Sequence, residues 1–153
     1  MLDFRIIEYG SCDYHDMVAL RDEVLRKPLG ISFSVEQLQQ EINDILIAGF
    51  TTTGNENKIA ENKIAGCCIL TPISENTVQL RQMAVSPSLQ GKGLGREIIA
   101  FAEEYARKNN FNLVMMHARK EATGFYQKLG YQTCGEEFTE VGIPHYEMRK
   151  NLK

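Results

Sequence analysis

The spacing of apolar residues divides the chain into segments of different predicted structure. Residues 4–9 are predicted as a strand, and the segment after them carries apolar residues at helical intervals, namely Met17, Leu20, Val24 and Leu25. We expect Asp13 to cap this first helix. Ser34, followed three residues later by Gln37, is a capping-box pattern that predicts a second helix. That helix is expected to bury Val35, Leu38, Ile42 and Ile45.

The pattern becomes typical of β structure between residues 46 and 85. Three apolar segments rich in β-forming residues lie at 46–52, 63–71 and 77–85. Turn-forming residues at 54–55 and 74–76 separate them. The short run 58–62 is nearly copied by residues 63–66, and we expect it to form a long hairpin turn. An antiparallel meander is therefore predicted here.

Helical spacing returns after the glycine-rich residues 91–95. One face of this predicted helix carries Leu94, Ile98, Phe101, Ala102 and Tyr105. Charged residues, Glu103 among them, are expected elsewhere on its circumference. A buried strand at 113–116, a helix at 121–129 ended by Gly130, and strands at 131–134 and 146–148 follow. The order β-α-α-β-β-β-α-β-α-β-β predicts an α/β fold with a central mixed, mostly antiparallel sheet flanked by helices.

Composition fits one compact domain spanning residues 1–153. The chain has 43% hydrophobic and 24% charged residues, near globular averages, and a formal net charge of −3. This charge disfavours a nucleic-acid partner, and no apolar run reaches the roughly 20 residues of a membrane span. A cytoplasmic protein is expected, with homodimer formation left open. The four cysteines lack Cys-x-x-Cys spacing, so we predict no metal site and expect buried thiols.

The glycine-rich turn holds the clearest chemical signal. Gly91, Gly93 and Gly95 lie between an apolar strand and an amphipathic helix, where bare backbone N–H groups and the helix dipole suit an anion such as pyrophosphate. A Walker loop is absent from the sequence, and the even glycine spacing fits a dinucleotide loop poorly. A tight connection without a ligand is the plainer alternative.

The run Gln-x-x-Gly-x-Gly from Gln90 to Gly95 resembles the acetyl-coenzyme A signature of the GNAT N-acetyltransferases, whose fold has the same element order. The resemblance implies that Gly91 to Arg96 bind the pyrophosphate and that the strand before them binds the pantetheine arm and thioester. A backbone N–H at Val85 would face the thioester carbonyl. The implied cofactor-binding residues are Met83, Ala84, Val85, Gln90, Gly91, Lys92, Gly93, Leu94, Gly95 and Arg96.

A second block, residues 125–131, resembles the Phe/Leu-Tyr-x-x-x-Gly-Phe/Tyr block of GNAT enzymes. It implies Tyr126 as the general acid that protonates the departing thiolate; the alternative is a tyrosine that only packs. Many relatives carry a cofactor-binding Asn seven residues earlier, where this chain has Arg119. Arg119 is a candidate for the nucleotide phosphates, or else a solvated surface residue.

A third block, residues 138–148, resembles the Phe-x-Glu-Asp-Gly-Ile-Pro-His-x-x-Met ending of ElaA-type GNAT proteins, with Val141 where those proteins usually have Asp. Residues 20–26 also resemble the Leu-Arg-x-x-Val block of that branch. His145 is the candidate base for the attacking amine, because its ordinary pKa suits proton transfer near neutral pH. A structural hydrogen bond is the alternative for His145. Weaker candidates are Glu140, His117, Glu8 and Glu23.

These features predict an N-acetyltransferase that moves an acetyl group from acetyl-coenzyme A to a primary amine. The amine would attack directly in a ternary complex, without a covalent enzyme intermediate and without a metal. The acceptor is expected to be a small-molecule or peptide amine. The alternative function is a non-catalytic regulatory module that only binds acetyl-coenzyme A.

Overall fold

The structure is a computed structural model of the chain, and it describes residues 2–53 and 61–153. The predicted hairpin turn at 58–62 lies largely outside these residues. The described helices and strands are β1 (Leu2–Ile7), α1 (Cys12–Arg21), α2 (Val35–Gln39), β2 (Ile45–Thr53), β3 (Glu61–Pro72), β4 (Thr77–Val85), α3 (Leu94–Lys108), β5 (Leu113–Arg119), α4 (Thr123–Lys128), β6 (Gln132–Glu140) and β7 (Ile143–Asn151). The predicted order of elements is confirmed.

The strands within residues 2–53 and 61–153 form one seven-stranded sheet in the order β1-β2-β3-β4-β5-β7-β6. Strands β4 and β5 are parallel, as expected for neighbours joined through the helix α3. Antiparallel ladders join β1 to β2, β2 to β3, β5 to β7, and β6 to β7. The predicted mixed, mostly antiparallel sheet flanked by helices is therefore confirmed.

The chain divides into two compact units. Unit 1 comprises Met1–Leu70 and Gln82–Ala102, and unit 2 comprises Thr71–Arg81 and Glu103–Lys153. In unit 1, α1 packs its apolar side on β2 and β3 around a buried cluster. The cluster contains Ile7, Tyr14, Met17, Leu20, Leu46, Ala48, Phe50, Cys67, Ile69 and Ala84. The predicted burial of Met17 and Leu20 is confirmed.

The start of α1 differs from the prediction. Ser11, and not Asp13, is the N-cap: its backbone is extended, and its side chain accepts a hydrogen bond from the Tyr14 N–H at 3.2 Å. Asp13 lies inside the first turn, where its charge still suits the helix dipole. Serine and aspartate are equally good caps, so the local sequence could not choose between these positions.

The second helix has the predicted capping box of Ser34 and Gln37 but not the predicted apolar stripe. The α-helix ends at Gln39, a 3-10 turn follows to Asn43, and β2 begins at Ile45. Five residues are too few to present four apolar positions to a core. Val35 and Ile42 are consequently 67% and 61% exposed.

The long helix α3 buries a face rotated from the predicted one. Ile98, Ile99, Ala102 and Ala106 are buried, while Leu94, Phe101 and Tyr105 are only half-buried. Glu103, expected on the outer side, is also buried, and in unit 2 its carboxylate lies 2.8 Å from Lys150 Nζ. Strands β6 and β7 are longer than predicted because they continue to a two-residue turn at Val141 and Gly142.

Candidate functional site

The glycine turn precedes α3 in unit 1. Gly91 and Gly93 have φ angles of 80° and 82°, a left-handed conformation that glycine adopts readily. A Cβ built on either residue would meet nothing within 4 Å. The Gly93 carbonyl accepts a hydrogen bond from Glu97 N–H at 3.3 Å, so α3 begins here. The N–H groups of the first turn lack partners inside the helix and suit an anion.

The polar side chains around this turn are exposed, and two of them are basic, which suits an anionic ligand. Lys92 and Arg96 are both exposed and supply positive charge beside the open backbone. Glu97 in the first helical turn is exposed as well, so its opposing charge is screened by water. Gln90 donates its side-chain Nε2 to the Val85 carbonyl at 3.1 Å. This contact braces residues 85–90, just before the glycine turn, a role that the sequence did not predict.

Strand β4 is irregular just before the turn. Gln82 has a φ of 54°, a left-handed backbone inside a strand, and the ladder with β5 covers Thr77 to Leu80. The buried Cys67 thiol donates to the Gln82 carbonyl at 3.8 Å. Burial raises the pKa of the Cys67 thiol to about 12, so this thiol stays protonated and can act as that donor. The irregularity at Gln82, held by the Cys67 hydrogen bond, therefore lies just before Met83 to Val85. The resemblance implies that this segment binds the thioester.

Tyr126 lies on α4 in unit 2 and is half-buried. Its ring makes edge contacts with Phe125 and Tyr131, at centroid distances of 5.1 and 5.9 Å. Its carbonyl accepts hydrogen bonds from the N–H groups of Leu129 and Tyr131. Packing therefore fixes the ring, and Gly130, with a φ of 96°, ends the helix as predicted.

His145 is 4% exposed on β7. Its Nδ1 donates to the Ile143 carbonyl at 2.8 Å, because a carbonyl can only accept, and this leaves Nε2 as the acceptor of the neutral ring. Phe138 stacks on the imidazole at 5.9 Å. The structural hydrogen bond considered for His145 is thus present, and it also fixes the tautomer that a base requires.

Three of the predicted base candidates meet in unit 2. The Glu140 carboxylate lies 3.7 Å from His145 Nε2 and 3.1 Å from His117 Nδ1. Arg119, the last residue of β5, is the register partner of His145 and is half-buried. The remaining candidates, Glu8 and Glu23, belong to unit 1 and are exposed.

A buried ion pair in unit 1 was not predicted. Arg21 is 0% and Glu41 3% exposed, and two hydrogen bonds of 2.8 and 2.6 Å join the guanidinium to the carboxylate. The Tyr14 hydroxyl donates to the same carboxylate at 2.8 Å. Burial, together with the adjacent Glu41 charge, raises the pKa of Tyr14. Arg21 lies four residues after Met17 and so on the same, buried side of α1. From this spacing the burial of Arg21 could have been predicted.

The part of the chain that the structure describes was predicted to lack a metal cluster and a membrane-spanning helix. Residues 2–53 and 61–153 contain no group of three or more His, Cys, Asp or Glu side chains arranged to hold a metal. No helix within these ranges is long and apolar enough to cross a membrane.

Comparison with known proteins identifies the family. Residues 32–152 match the acetyltransferase (GNAT) domain. The chain belongs to this GNAT acetyltransferase family. Among curated relatives, YyaT of Bacillus subtilis is 36% identical over 77 residues, which are 50% of this chain and 52% of that protein. The chain thus spans about half the length of this relative. A UPF0039 protein of Schizosaccharomyces pombe is 27% identical over 99% of this chain and 98% of its own length.

Solved structures share the GNAT fold over nearly the whole chain. A protein of Lactobacillus plantarum described as an N-acetyltransferase has a TM-score of 0.82 at 21% identity, covering 100% of this chain and 98% of its own. Escherichia coli ElaA has a TM-score of 0.73 at 18% identity, covering 98% and 99%. An aminoglycoside 6'-N-acetyltransferase in complex with coenzyme A has a TM-score of 0.75 at 14% identity, covering 99% and 97%. At these identities the likeness concerns the fold alone.

Proposed function

We propose that this chain, as a single GNAT domain over residues 1–153, transfers an acetyl group from acetyl-coenzyme A to a primary amine. The observation that carries the proposal is the glycine turn. Gly91 and Gly93 are left-handed and open to solvent at the start of the 15-residue helix α3. A backbone of this kind suits a pyrophosphate, and family membership makes an acyl-coenzyme A the expected ligand.

The backbone of the turn and of β4 would hold the cofactor. N–H groups from Gly91 to Gly95 bind the pyrophosphate, while Lys92 and Arg96 add charge. Arg119 is a further candidate for the phosphates. The Val85 N–H would donate to the thioester oxygen as negative charge develops there, an interaction typically worth about 3–4 kcal/mol. Bound acetyl-coenzyme A supplies the activated acyl group.

Two side chains would handle protons. His145 would accept a proton from the amine at Nε2, the ring nitrogen left unprotonated by the Nδ1 bond to Ile143. Tyr126, its ring fixed by packing, would donate the phenolic proton to the departing thiolate and then regain a proton from water. Holding amine and thioester together supplies much of the rate, so the attack needs no covalent enzyme intermediate.

The final hairpin favours the ElaA-type branch, whose Gly-Ile-Pro-His sequence this chain has at residues 142–145. We propose a small-molecule or peptide amine as acceptor and a cytoplasmic location. The ElaA structure shares the fold of this chain, and the branch assignment is carried by the sequence of residues 142–145. Acceptor identity is best found with an amine panel, because specificity resides in the particular side chains around the site and not in the fold.

Calorimetric titration with acetyl-coenzyme A tests the glycine turn. Gly93→Ala should weaken binding at least about tenfold, because its methyl group would occupy the face that the pyrophosphate approaches. Gly10→Ala is the matched control: Gly10 has a φ of 79° and equally open surroundings, but lies outside the turn. Equal affinities for the two variants would contradict the proposed cradle.

A thiol-release assay with the amine panel tests catalysis. Tyr126→Phe should lower kcat about 10²-fold or more while acetyl-coenzyme A affinity is retained. Tyr105→Phe, which removes the hydroxyl of a half-buried tyrosine on α3, is the control. Wild-type protein that binds the thioester but releases no thiol with any amine would support the regulatory module instead.

A further inference from the structure

We propose that Glu140 takes the proton from buried His145 and releases it to solvent, while His117 holds the Glu140 carboxylate in place. This inference rests on the proposed function, because it supplies the exit for the proton that His145 accepts from the amine. A base enclosed in the protein must be deprotonated again before each new turnover, and this requires a neighbouring acceptor with access to water.

His145 itself has little contact with water. Its side chain is 6% exposed, Phe138 covers one ring face, and Nδ1 is occupied by the Ile143 carbonyl. Any proton arriving at Nε2 therefore needs an acceptor on the same side of the ring. The Glu140 carboxylate provides such an acceptor, because its Oε2 lies 3.7 Å from His145 Nε2.

The distance between His145 Nε2 and the Glu140 carboxylate bears on how the proton would pass between them. The 3.7 Å gap between Nε2 and the carboxylate exceeds an ordinary hydrogen bond, and while Nδ1 donates the ring's proton to the Ile143 carbonyl, Nε2 has none to donate. Protonation of Nε2 creates the missing donor next to a negative acceptor, and a charge-assisted hydrogen bond of about 2.8 Å can then form. The distance between Nε2 and the Glu140 carboxylate therefore shortens when Nε2 carries the proton.

Glu140 connects this buried nitrogen to solvent. Its side chain is 46% exposed, compared with 6% for His145. The other carboxylate oxygen is 3.1 Å from Nδ1 of His117, whose own side chain is 33% exposed. His117 in turn contacts Phe138 edge-on at 5.1 Å. With Nδ1 as the donor, His117 fixes one oxygen of Glu140 and leaves the second directed to His145.

Two other glutamates near this cluster, Glu137 and Glu147, are held in ion pairs of their own. In the β5–β7 ladder, Arg119 is opposite His145, and Glu147 is opposite His117. Glu147 pairs with Arg149 at 3.1 Å. On β6, Glu137 pairs with Lys120 at 2.8 Å. Glu137 and Glu140 both lie on β6, but it is Glu140 that contacts His117 and His145.

The proton is conserved along the path. As an N–H bond of the substrate's amine group breaks, a new N–H bond forms at His145 Nε2. That bond then breaks as an O–H bond forms at Glu140 Oε2, and neutral His145 is restored. Finally the O–H bond breaks, water accepts the proton, and the carboxylate is restored. The path requires no oxidant, reductant or further co-reactant.

A pair of β6 variants tests the path in the thiol-release assay. Glu140→Gln keeps the shape but cannot accept the proton, so kcat should fall about tenfold or more with the KM for acetyl-coenzyme A unchanged. Glu137→Gln is matched in strand, charge and exposure, 42% against 46%, and should change kcat less than twofold. Similar kcat values for the two variants would overturn the path.

Chemical rescue separates proton transfer from a structural role. Glu140→Ala leaves space beside His145, where added formate can replace the carboxylate and raise kcat with concentration. Glu137→Ala should show no dependence on formate. A Glu140→Ala enzyme that formate does not restore would overturn the path, since a purely structural defect has no reason to respond to a small base.

The positioning role of His117 is tested by two substitutions. His117→Asn retains a side-chain N–H donor and should keep more kcat than His117→Ala, while His15→Ala on α1 should leave kcat unchanged. Equal kcat for the Asn and Ala variants would remove His117 from the proposal. A wild type inactive with every amine would instead refute the proposed function, whereas an active wild type insensitive to Glu140 substitution would refute the path alone.

Discussion

Glu41 and Glu140 each contact two polar side chains, but in opposite environments. In unit 1, Glu41 joins Arg21 and Tyr14 with both charged side chains no more than 4% exposed. In unit 2, Glu140 joins His117 and His145 while remaining 46% exposed. The first group is sealed by the core, and the second reaches from the interior to water. On the proton path proposed for Glu140, exposure, more than partner type, would separate a structural role from a chemical one.

The physical reason is the cost of burying charge. A sealed carboxylate cannot exchange its proton with water, and removing its partner leaves an uncompensated charge in a medium of low dielectric. A half-exposed carboxylate retains hydration, so its contacts add little stability but its proton can leave. The Arg21–Glu41 pair should therefore dominate stability, and the Glu140 group should dominate turnover.

The largest expected effect is on Glu41. Glu41→Ala leaves the Arg21 guanidinium buried without its charge partner and should lower the free energy of unfolding by about 3–5 kcal/mol. Urea denaturation measures this, with Glu140→Ala as the comparison, expected to cost less than about 1 kcal/mol. A double substitution, Arg21→Met with Glu41→Leu, should recover much of the loss because it removes both charges. Equal losses for Glu41→Ala and Glu140→Ala would contradict the distinction.

An intermediate case is the pair of Glu103 and Lys150 in unit 2. Glu103 is 8% and Lys150 22% exposed at the side chain, and Lys150 Nζ also donates to the Leu129 carbonyl at 2.7 Å. Lys150→Met should cost about 2 kcal/mol in urea denaturation, between the values for the two carboxylates above. Lys108→Met, which removes an exposed surface partner, should change stability by less than about 0.5 kcal/mol.

The sealed group should also respond to alkaline pH. The pKa of Tyr14 is raised in the folded protein, so above about pH 10 the unfolded chain loses a proton that the folded chain keeps. The resulting stability is present below that pH and lost as pH rises, with a slope of up to about 1.4 kcal/mol per pH unit. Urea titrations between pH 9 and 11 should show a shallower decline in Tyr14→Phe than in Tyr105→Phe. Identical slopes would contradict the assignment.

Sequence patterns predicted the fold more completely than they predicted the Glu41 and Glu140 groups. Periodicity indicated each strand and helix because period and turn residues are local properties. The glycine turn could be predicted for the same reason. Gly91 and Gly93 have positive φ angles, and glycine adopts such angles readily. By contrast, Arg21 and Glu41 are 20 residues apart, and His117 and Glu140 are 23 apart. Only tertiary packing brings such pairs together.

The shortness of α2 illustrates the same limit. The apolar spacing from Val35 to Ile45 predicted a longer buried helix, yet the chain leaves the α-helical path after Gln39. The following 3-10 turn buries Glu41, the carboxylate that Arg21 contacts. Satisfying the buried guanidinium outweighs burial of Ile42, because an unpaired buried charge costs more than exposure of one aliphatic side chain.

The smallest effect concerns the turn beside Glu140. Val141 and Gly142 have φ angles of 46° and 75° and connect Glu140 to Ile143, the arrangement of a two-residue hairpin that favours Asn or Asp before Gly. A β-branched residue there is strained, so Val141→Asn should raise the free energy of unfolding by about 1 kcal/mol. Val35→Asn, a control at another exposed valine, should give no gain. If the gain comes without loss of kcat, the strain at this turn is not needed to hold Glu140; if kcat falls as stability rises, the strained turn helps to position that carboxylate.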